Sequence, residues 1–186
     1  MNIPTLENEI VKLMPLSLDN FKNLYAIASE KDLVQYSPSN ISTLQALTDY
    51  VKTALDHAEK NLAVPFIIYD KRTERYAGTT RYMNIDWNNK VLHIGSTWIG
   101  RDFHGNGLNT VMKHLMLDYA FYKMEFEKVE FRIDERNIRS RRAVEKLGAK
   151  FEGLLRKNVY LLNGFKRNTC CYGILKEEWD YYKKAK

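Results

Sequence analysis

Two glycines, one residue apart, follow a short apolar segment in the stretch WIGRDFHGNGLNTVMKHLML, residues 98–117. A helical spacing of apolar residues begins directly after Gly107. A glycine-rich turn between a strand and a helix can present its backbone N–H groups, and the positive end of the helix, to an anion. The stretch therefore indicates a phosphate site, and the surrounding residues must indicate which ligand carries the phosphate.

Three kinds of turn compete for HGNGLNT, residues 104–110. A nucleoside-triphosphate loop needs a lysine and a hydroxyl residue after its last glycine, but Leu108 and Asn109 stand there. A dinucleotide loop needs a third small residue, where Thr110 stands, and it normally opens the first βαβ unit of a chain. A plain strand-to-helix turn, which uses glycine for backbone freedom, stays open on this motif alone.

A second group of polar residues opens a short helical pattern further along the chain. Asn137 and Ser140 lie in RNIRSRR, residues 136–142, which holds four arginines. Asn and Ser commonly cap helices, so capping competes with ligand binding at both positions. The arginines suit a solvated basic face, a phosphate of a ligand, or steering of an RNA-rich target.

A proton acceptor is less well defined by the sequence. His93 has an ordinary pKa near 6.5, which suits a general base at neutral pH, although a strand histidine is as often a packing residue. Glu130 and Asp134 are alternatives on the next predicted strand. The adjacent Cys170 and Cys171 would face opposite sides of a strand, which favours packing over a reactive thiol or a metal site.

Apolar periodicity predicts the elements that position these residues. The first helix is predicted over residues 16–30, with Ser17 at its N-terminal cap and an apolar face of Leu18, Phe21, Leu24, Tyr25 and Ala28. The remaining predictions are a strand before this helix, a helix at 43–60, strands at 63–70, 75–86 and 90–100, a helix after Gly107, a strand at 128–134, a helix at 140–148 ending at Gly148, and a hairpin of 157–162 with 167–175.

This order of elements predicts an α/β fold with a mixed, mostly antiparallel sheet of seven strands and about four helices. One strand–helix–strand crossover is expected around residues 91–133. The length of 186 residues suits a single domain over 1–186. The net charge of +6 favours anionic partners, either nucleic acid or a polyphosphate cofactor. With two cysteines, no apolar run of membrane length and no targeting pattern, a cytoplasmic location is expected.

Three ordered motifs resemble the GNAT acetyltransferase superfamily, in particular its ribosomal-protein N-acetyltransferase branch. HGNGLNT resembles the pyrophosphate loop R/Q-x-x-G-x-G/A, with His104, Gly107 and Asn109 at the three defined positions. NIRSRRAVEKLG, residues 137–148, resembles the second signature, N-x-x-S followed by a short helix and KLG. The segment from residue 153 to Trp179 resembles the closing hairpin, so the resemblance spans nearly the whole chain.

The resemblance implies acetyl-CoA as co-substrate, with no metal. The loop backbone would hold the pyrophosphate, with His104 as a further hydrogen-bond donor, and residues 96–100 would pair with the pantetheine arm and polarise the thioester carbonyl. Ser140 would donate a hydrogen bond to the departing thiolate. The predicted cofactor-binding residues are Thr97, Trp98, Ile99, His104, Gly105, Asn106, Gly107, Leu108, Asn109, Thr110, Asn137, Ser140 and Arg142, and the predicted catalytic residues are Ser140, His93 and Glu130.

The predicted activity is N-acetylation of a primary amine by direct attack in a ternary complex. The acceptor is a protein N-terminus, such as that of a ribosomal protein, or a small-molecule amine; a polyamine is less favoured. Residues 16–60 and 161–168, which would face the acceptor, contain no motif that identifies it. The alternative is a module that senses acyl-CoA or docks on RNA without turnover. No membrane partner and no nucleic-acid substrate are predicted, and a homodimer could form through a strand edge or the final hairpin.

Overall fold

The structure is a computed structural model that describes residues 4–185. Within those residues it contains one eight-stranded sheet, in the order β1-β2-β3-β4-β5-β6-β8-β7, and five α-helices. The strands are β1 (Leu6–Glu7), β2 (Val11–Pro15), β3 (Ala63–Asp70), β4 (Arg75–Asp86), β5 (Val91–Ile99), β6 (Lys128–Asp134), β7 (Lys150–Tyr160) and β8 (Lys166–Leu175). The helices are α1 (Tyr25–Ala28), α2 (Leu44–Glu59), α3 (Leu108–Tyr122), α4 (Ile138–Glu145) and α5 (Lys176–Lys184).

The predicted mixed α/β architecture is confirmed, and two elements are added to it. Strand β1 is only two residues long, too short to show a period of two, and it pairs with β2 through Leu6 and Leu13. Helix α5 follows β8 directly, so no turn signal separates the two elements. The Glu178 side chain accepts a hydrogen bond from the Leu175 N–H at 3.0 Å, and Trp179 is fully buried. The hydrogen bond caps the start of α5, and the burial of Trp179 packs the helix against the rest of the protein.

The first predicted helix is partly wrong. Residues Phe21–Leu24 form a 3-10 turn and only α1 is α-helical, so the regular helix is much shorter than residues 16–30. Ser17 is not the N-cap of this segment, which is Asn20; the Ser17 Oγ instead accepts the N–H groups of the residues two and three positions on, within the preceding turn. Leu18 lies before the turn and is 48% exposed, and Tyr25 is 40% exposed, because a 3-10 turn does not keep the 3.6-residue spacing assumed for the apolar face.

Helices α2 and α3 cover opposite faces of the sheet. Tyr82 on β4 donates a hydrogen bond from its hydroxyl to the Met116 carbonyl of α3 at 2.7 Å. Its neighbour Arg81 instead lies over the ring of Tyr50 on α2. Successive residues of a strand point to opposite faces, so these two contacts separate the two helices. Buried apolar residues of α2 and α3, such as Leu47 and Met112, fill the core on each side.

One parallel pair interrupts the antiparallel sheet, at the predicted crossover. Strands β5 and β6 are joined through α3 and pair only at Val91–Lys128, Leu92–Val129 and His93–Glu130. Beyond His93 the two strands separate, and β8 is the only strand with which β6 still pairs up to Asp134. The edge of β5 that faces β6 is therefore free of strand partners along residues 94–99. This wedge-shaped gap positions the candidate site.

Strand β7 forms one edge of the sheet and carries several exposed apolar side chains, among them Phe151, Leu154, Leu155 and Tyr160. It belongs to the closing hairpin through which a homodimer was predicted. An edge strand has unpaired backbone groups that can pair with another chain. Self-association through this edge stays a prediction.

Candidate active site

The loop between β5 and α3 takes its shape from two glycines in left-handed conformation. Gly105 has φ 75° and Gly107, at the N-cap of α3, has φ 84°. Side chains rarely adopt such angles, so the backbone alone selects glycine at both positions. A Cβ added at either glycine would meet nothing within 4 Å. The space in front of the loop is therefore open to a ligand.

Five backbone N–H groups of this loop make no hydrogen bond with any residue in the range 4–185. They belong to Gly105, Asn106, Gly107, Asn109 and Thr110. The other two amides of residues 104–110 are satisfied within the protein: that of His104 donates to the Arg101 carbonyl, and that of Leu108 to Asn106 Oδ1, both at 3.0 Å. The set available to an anion is thus narrower than predicted, but it still lies at the positive end of α3.

The His104 side chain does not point a free donor at the loop, contrary to the prediction. Its Nε2 lies 2.9 Å from the Ile99 carbonyl oxygen, and its Nδ1 lies 2.9 Å from Nη1 of Arg139. A guanidinium only donates, so Nδ1 accepts and the ring proton sits on Nε2. Both ring nitrogens are used, and the consequence is that His104 holds the Arg139 guanidinium beside the loop.

The four arginines of residues 136–142 have different partners. Arg136 binds Asp134 through both carboxylate oxygens, and Arg141 donates to the Tyr172 hydroxyl and to the Glu135 carbonyl. Arg142 is exposed, and its guanidinium makes no hydrogen bond or ion pair within the described part of the chain. Two of the four guanidinium groups therefore support the fold, which reduces the basic surface left for RNA.

Asn137 and Ser140 lie at the start of α4, close to the loop through Arg139. Asn137 is the N-cap of α4, and its Oδ1 accepts the Ser140 N–H at 3.1 Å, so the capping interpretation is confirmed for Asn137. The half-buried Ser140 hydroxyl makes no hydrogen bond to any residue from 4 to 185. Its hydroxyl can therefore donate to a ligand without losing a contact within the protein.

The predicted base candidates His93 and Glu130 face each other at the last pair before the strands separate. His93 Nε2 lies 3.2 Å from Glu130 Oε2, and His93 Nδ1 lies 3.1 Å from Asn84 Nδ2. Burial lowers the pKa of His93, and the nearby Glu130 charge opposes that shift without reversing it. The imidazole is therefore uncharged at neutral pH, the form in which it can accept a proton.

The two carboxylates are poor bases by comparison. Burial by itself would raise the pKa of Glu130, but hydrogen bonds from Lys128 and Arg132 outweigh it and leave that pKa below its ordinary value. The same balance holds at Asp134, where burial is outweighed by hydrogen bonds from Arg136. Both carboxylates thus hold a proton only weakly, which favours His93 among the three candidates.

Strand β5 bends where it enters the gap. Ser96 has φ 47°, and the pairing of β4 with β5 slips by one residue between Thr79–Trp98 and Arg81–Gly95, which marks a β-bulge. The side chains of Thr97, Trp98 and Ile99 are turned into the protein, with Trp98 and Ile99 buried. Their predicted contribution to binding would therefore come from the backbone.

The two cysteines behave as predicted for packing residues. Cys170 and Cys171 are both buried free thiols on β8. Burial raises the pKa of Cys170, which disfavours the reactive thiolate, and Cys171 Sγ accepts a hydrogen bond from Arg132 at 2.8 Å.

Lys113 is a buried cation that the sequence interpretation missed. It lies on the sheet-facing side of α3, is 5% exposed, and donates from Nζ to Thr97 Oγ1 at 2.9 Å. Thr97 Oγ1 in turn lies 2.7 Å from Thr80 Oγ1. No carboxylate pairs with Lys113 among residues 4–185. Its spacing from the buried Met116 and Leu117 was the available signal, since i and i+3 or i+4 share a helix face.

Lys113 gives a prediction about stability. Burial lowers its pKa from the ordinary 10.5 to about 7. The buried charge therefore lowers the free energy of unfolding by its full amount below about pH 7. This destabilisation shrinks as the pH rises and disappears above the ordinary pKa. We expect Lys113→Met to raise the melting temperature of the ligand-free protein by roughly 5–10 °C at pH 6, and by much less at pH 10.

Thermal melts of Lys113→Met and wild type across pH 6 to 10 measure this effect, with Lys52→Met as the control. Lys52 is an exposed lysine of α2, so its replacement should leave the melting temperature nearly constant. An equal gain for Lys113→Met at both ends of the pH range would contradict the assigned burial cost.

Two features are absent from the part of the chain that the structure describes. No group of three or more His, Cys, Asp or Glu side chains in residues 4–185 is arranged to hold a metal ion. The same residues include no helix that is both long and apolar enough to cross a membrane.

A profile of the acetyltransferase (GNAT) domain matches residues 11–150. The match covers the first two sequence motifs, the β5–β6 gap and the loop with its free amides. The chain belongs to the GNAT acetyltransferase family.

Known proteins similar to this chain include acetyltransferases from several bacteria. A crystal structure of a GCN5-related N-acetyltransferase from Brucella melitensis superposes with a TM-score of 0.87 and 26% identity, over 100% of this chain and 84% of that one. "Putative ribosomal N-acetyltransferase YdaF" of Bacillus subtilis is 33% identical over 97 residues, which is 52% of each chain. This chain thus aligns with about half the length of that relative.

A more distant structure shares the fold alone. It is a spermidine N-acetyltransferase from Vibrio cholerae in complex with CoA and spermine, with a TM-score of 0.77 and 16% identity over 92% of this chain and 99% of that one.

Proposed function

We propose that this protein transfers the acetyl group of acetyl-CoA to a primary amine. The observation that carries the proposal is the set of five unpaired loop amides at the start of α3, directly beside the β5 edge that has left β6. One surface suits a pyrophosphate and the other suits an extended chain with amide groups. Coenzyme A has both parts in that order, and the distant structure that shares the fold binds it.

The residues of this chain divide the work of binding. The amides of Gly105, Asn106, Gly107, Asn109 and Thr110 would hold the pyrophosphate. Arg139, fixed by His104, adds a positive charge next to them, and the exposed Arg142 is available to a further phosphate. The backbone of residues 94–99 would pair with the pantetheine arm and polarise the thioester carbonyl.

The chemistry needs one bond to form and one to break. The amine nitrogen bonds to the carbonyl carbon while the carbon–sulfur bond breaks, and the sulfur leaves as thiolate. Ser140 donates a hydrogen bond to that thiolate. His93 takes up the proton that the amine loses. It lies three positions before Ser96 on the strand, about 10 Å away, so the proton travels through solvent. Acceptors consistent with the family are a protein N-terminus and a small-molecule amine.

Two measurements test the proposal and separate an enzyme from a non-catalytic binding module. Saturating acetyl-CoA should raise the melting temperature. Incubation with acetyl-CoA and a panel of amines should release free thiol in amounts equal to the acetylated amine detected by mass spectrometry. No stabilisation by acetyl-CoA or CoA would overturn the proposal, whereas stabilisation without thiol release from any amine would indicate a sensor of acyl-CoA.

The contact between His104 and Arg139 gives a kinetic prediction. Arg139→Gln should raise KM for acetyl-CoA roughly 5- to 20-fold with little change in kcat, because a charge-assisted phosphate contact is lost. His104→Ala should act through the same guanidinium, so the double variant should be no worse than Arg139→Gln. Steady-state kinetics with Arg156→Gln, an exposed arginine of β7, as control measure this. If the increases in KM of the two single variants multiply in the double variant, His104 and Arg139 do not act through a shared role.

A further inference from the structure

Arg81 on β4 is a buried guanidinium without a counter-ion. The residue is 5% exposed, and its side chain makes no hydrogen bond or ion pair with any residue from 4 to 185; the Nε and Nη2 atoms are buried and unpartnered. The guanidinium carbon lies 4.6 Å from the centre of the Tyr50 ring, so a cation–π contact provides part of the missing stabilisation. A buried charge that lacks a partner is costly, and an anion that reaches it would remove the cost.

Two other arginines of this chain show how the edge formed by Nε and Nη2 binds a carboxylate. Arg72 donates from Nε and Nη2 to the two oxygens of Asp70 at 3.0 and 2.7 Å. Arg136 binds the two oxygens of Asp134 through the same atoms at the same distances. Arg81 has the same pair of donors, in the planar geometry that matches a carboxylate. No acceptor among the described residues binds them.

Arg81 lines a cavity of about 380 Å³ between α2, the loop before it, and the bulge of β5. The other lining groups are mainly polar and include Ser39, Asn40, Asp49 and Ser96. The volume suits a small ligand or one end of a larger one. No ion pair joins Asp49 to Arg81 within the described residues, so the cavity offers one carboxylate and one guanidinium separately.

The cavity reaches the place where acetyl transfer is proposed. Ser96 belongs both to the cavity wall and to the β5 segment assigned to the pantetheine arm and thioester. Tyr50 connects the two, because its hydroxyl donates to the Ser96 carbonyl at 3.4 Å while its ring lies against Arg81. The cavity is therefore the natural place for the acceptor, an assignment that rests on the proposed function.

From these contacts we infer that the acceptor amine also carries an anionic group, in the simplest case a carboxylate, which pairs with Arg81. The guanidinium moves a short way from the Tyr50 ring toward the cavity, since Nε and Nη2 are covered when no ligand is present. A polyamine offers only positive charge and would be repelled by Arg81. A free amino acid and a peptide with an acidic residue near its N-terminus both provide the required pair of groups.

Matched pairs of acceptors test the inference. One arm compares L-amino acids with their carboxamides, and the other compares C-terminally amidated peptides beginning Ser-Asp with those beginning Ser-Asn, all by thiol release from acetyl-CoA. In at least one arm, kcat/KM for the wild type should be at least about tenfold higher for the acid. The arm that shows the preference identifies the source of the carboxylate.

The preference should depend on Arg81. In Arg81→Gln the ratio of kcat/KM for the acid to kcat/KM for its neutral partner should fall to nearly one, while kcat/KM for the neutral partners stays within about threefold of wild type. Arg81→Lys should keep part of the preference. Arg75→Gln, an exposed arginine of the same strand, should retain the full preference. Each variant must keep the acetyl-CoA-induced rise in melting temperature, which shows that it folds and binds the co-substrate.

Three results would overturn the inference. The first is equal rates for acids and amides in the wild type, and the second is an equal loss for both in Arg81→Gln. The third applies if no amine of the panel is acetylated. The acids are then tested as ligands, by the rise in melting temperature that they cause with CoA present. The role of Arg81 is rejected if the acids cause no rise, or if the rise is the same in Arg81→Gln. Failure of acetyl-CoA to stabilise the wild type is a separate result that counts against the proposed function itself.

Discussion

Gly107→Trp should lose the stabilisation by acetyl-CoA that the wild type shows, with affinity reduced at least about 100-fold. Gly107 is the N-cap of α3 and lies among the five free amides. Nothing in the protein lies within 4 Å of a Cβ at this position, so the indole would occupy the ligand's space rather than the core. The left-handed backbone adds a strain of about 1–2 kcal/mol, which a folded domain can tolerate.

Gly164 provides a matched control for this substitution. It lies in the turn between β7 and β8, has φ 79°, and also has nothing within 4 Å of an added Cβ. Gly164→Trp should therefore lower the melting temperature about as much as Gly107→Trp does, yet retain the shift with acetyl-CoA. Thermal shift and equilibrium binding of acetyl-CoA distinguish the two variants. Wild-type affinity in Gly107→Trp would remove the loop from the binding site.

His93→Phe should lower kcat roughly 100-fold, the range expected when a general base is removed. Burial keeps the pKa of His93 below its ordinary value, so the wild type should retain the uncharged, proton-accepting form at neutral pH and lose activity only as the pH falls through that lowered pKa. The variant should lack this acidic limb. A pH profile of kcat between pH 5 and 9 records both effects.

Replacing Glu130, the neighbour of His93, tests the direction in which the His93 pKa is shifted. The Glu130 carboxylate raises the pKa of His93 against the larger effect of burial, so Glu130→Gln should move the acidic limb to lower pH. His57→Phe, at the last turn of α2, serves as the control and should leave the profile unchanged. A kcat within twofold of wild type in His93→Phe would exclude His93 as the proton acceptor.

Local sequence signals predicted the elements around the site well. The strand over residues 75–86 has the observed bounds, and Gly148 adopts the left-handed angle expected at the end of its helix. Both features depend on contacts between near neighbours, which periodicity and turn residues report. The α5 helix and the 3-10 turn at Phe21–Leu24 were missed because their ends depend on tertiary contacts.

The contacts that define the candidate site are of longer range. His104 was assigned to the phosphate, but its partner Arg139 lies 35 residues further on, and nothing in the local spacing connects the two. Arg81 and Lys113 were overlooked for a related reason. An arginine in a strand and a lysine in a helix are most often solvated, and only the packing of α2 and α3 against the sheet shows that these two are buried.

The three-residue junction between β5 and β6 divides the sheet into two blocks that are each continuous in sequence. The first holds β1 to β5 and the second holds β6 to β8, and nearly all strand pairs join neighbours along the chain. Because each block pairs its own strands, the two blocks can behave as separate cooperative units that join at this junction. Amides along residues 94–99 that face the gap should exchange with deuterium quickly in the free protein. Protection that appears there on addition of acetyl-CoA would show the co-substrate acting as the missing strand between the two blocks.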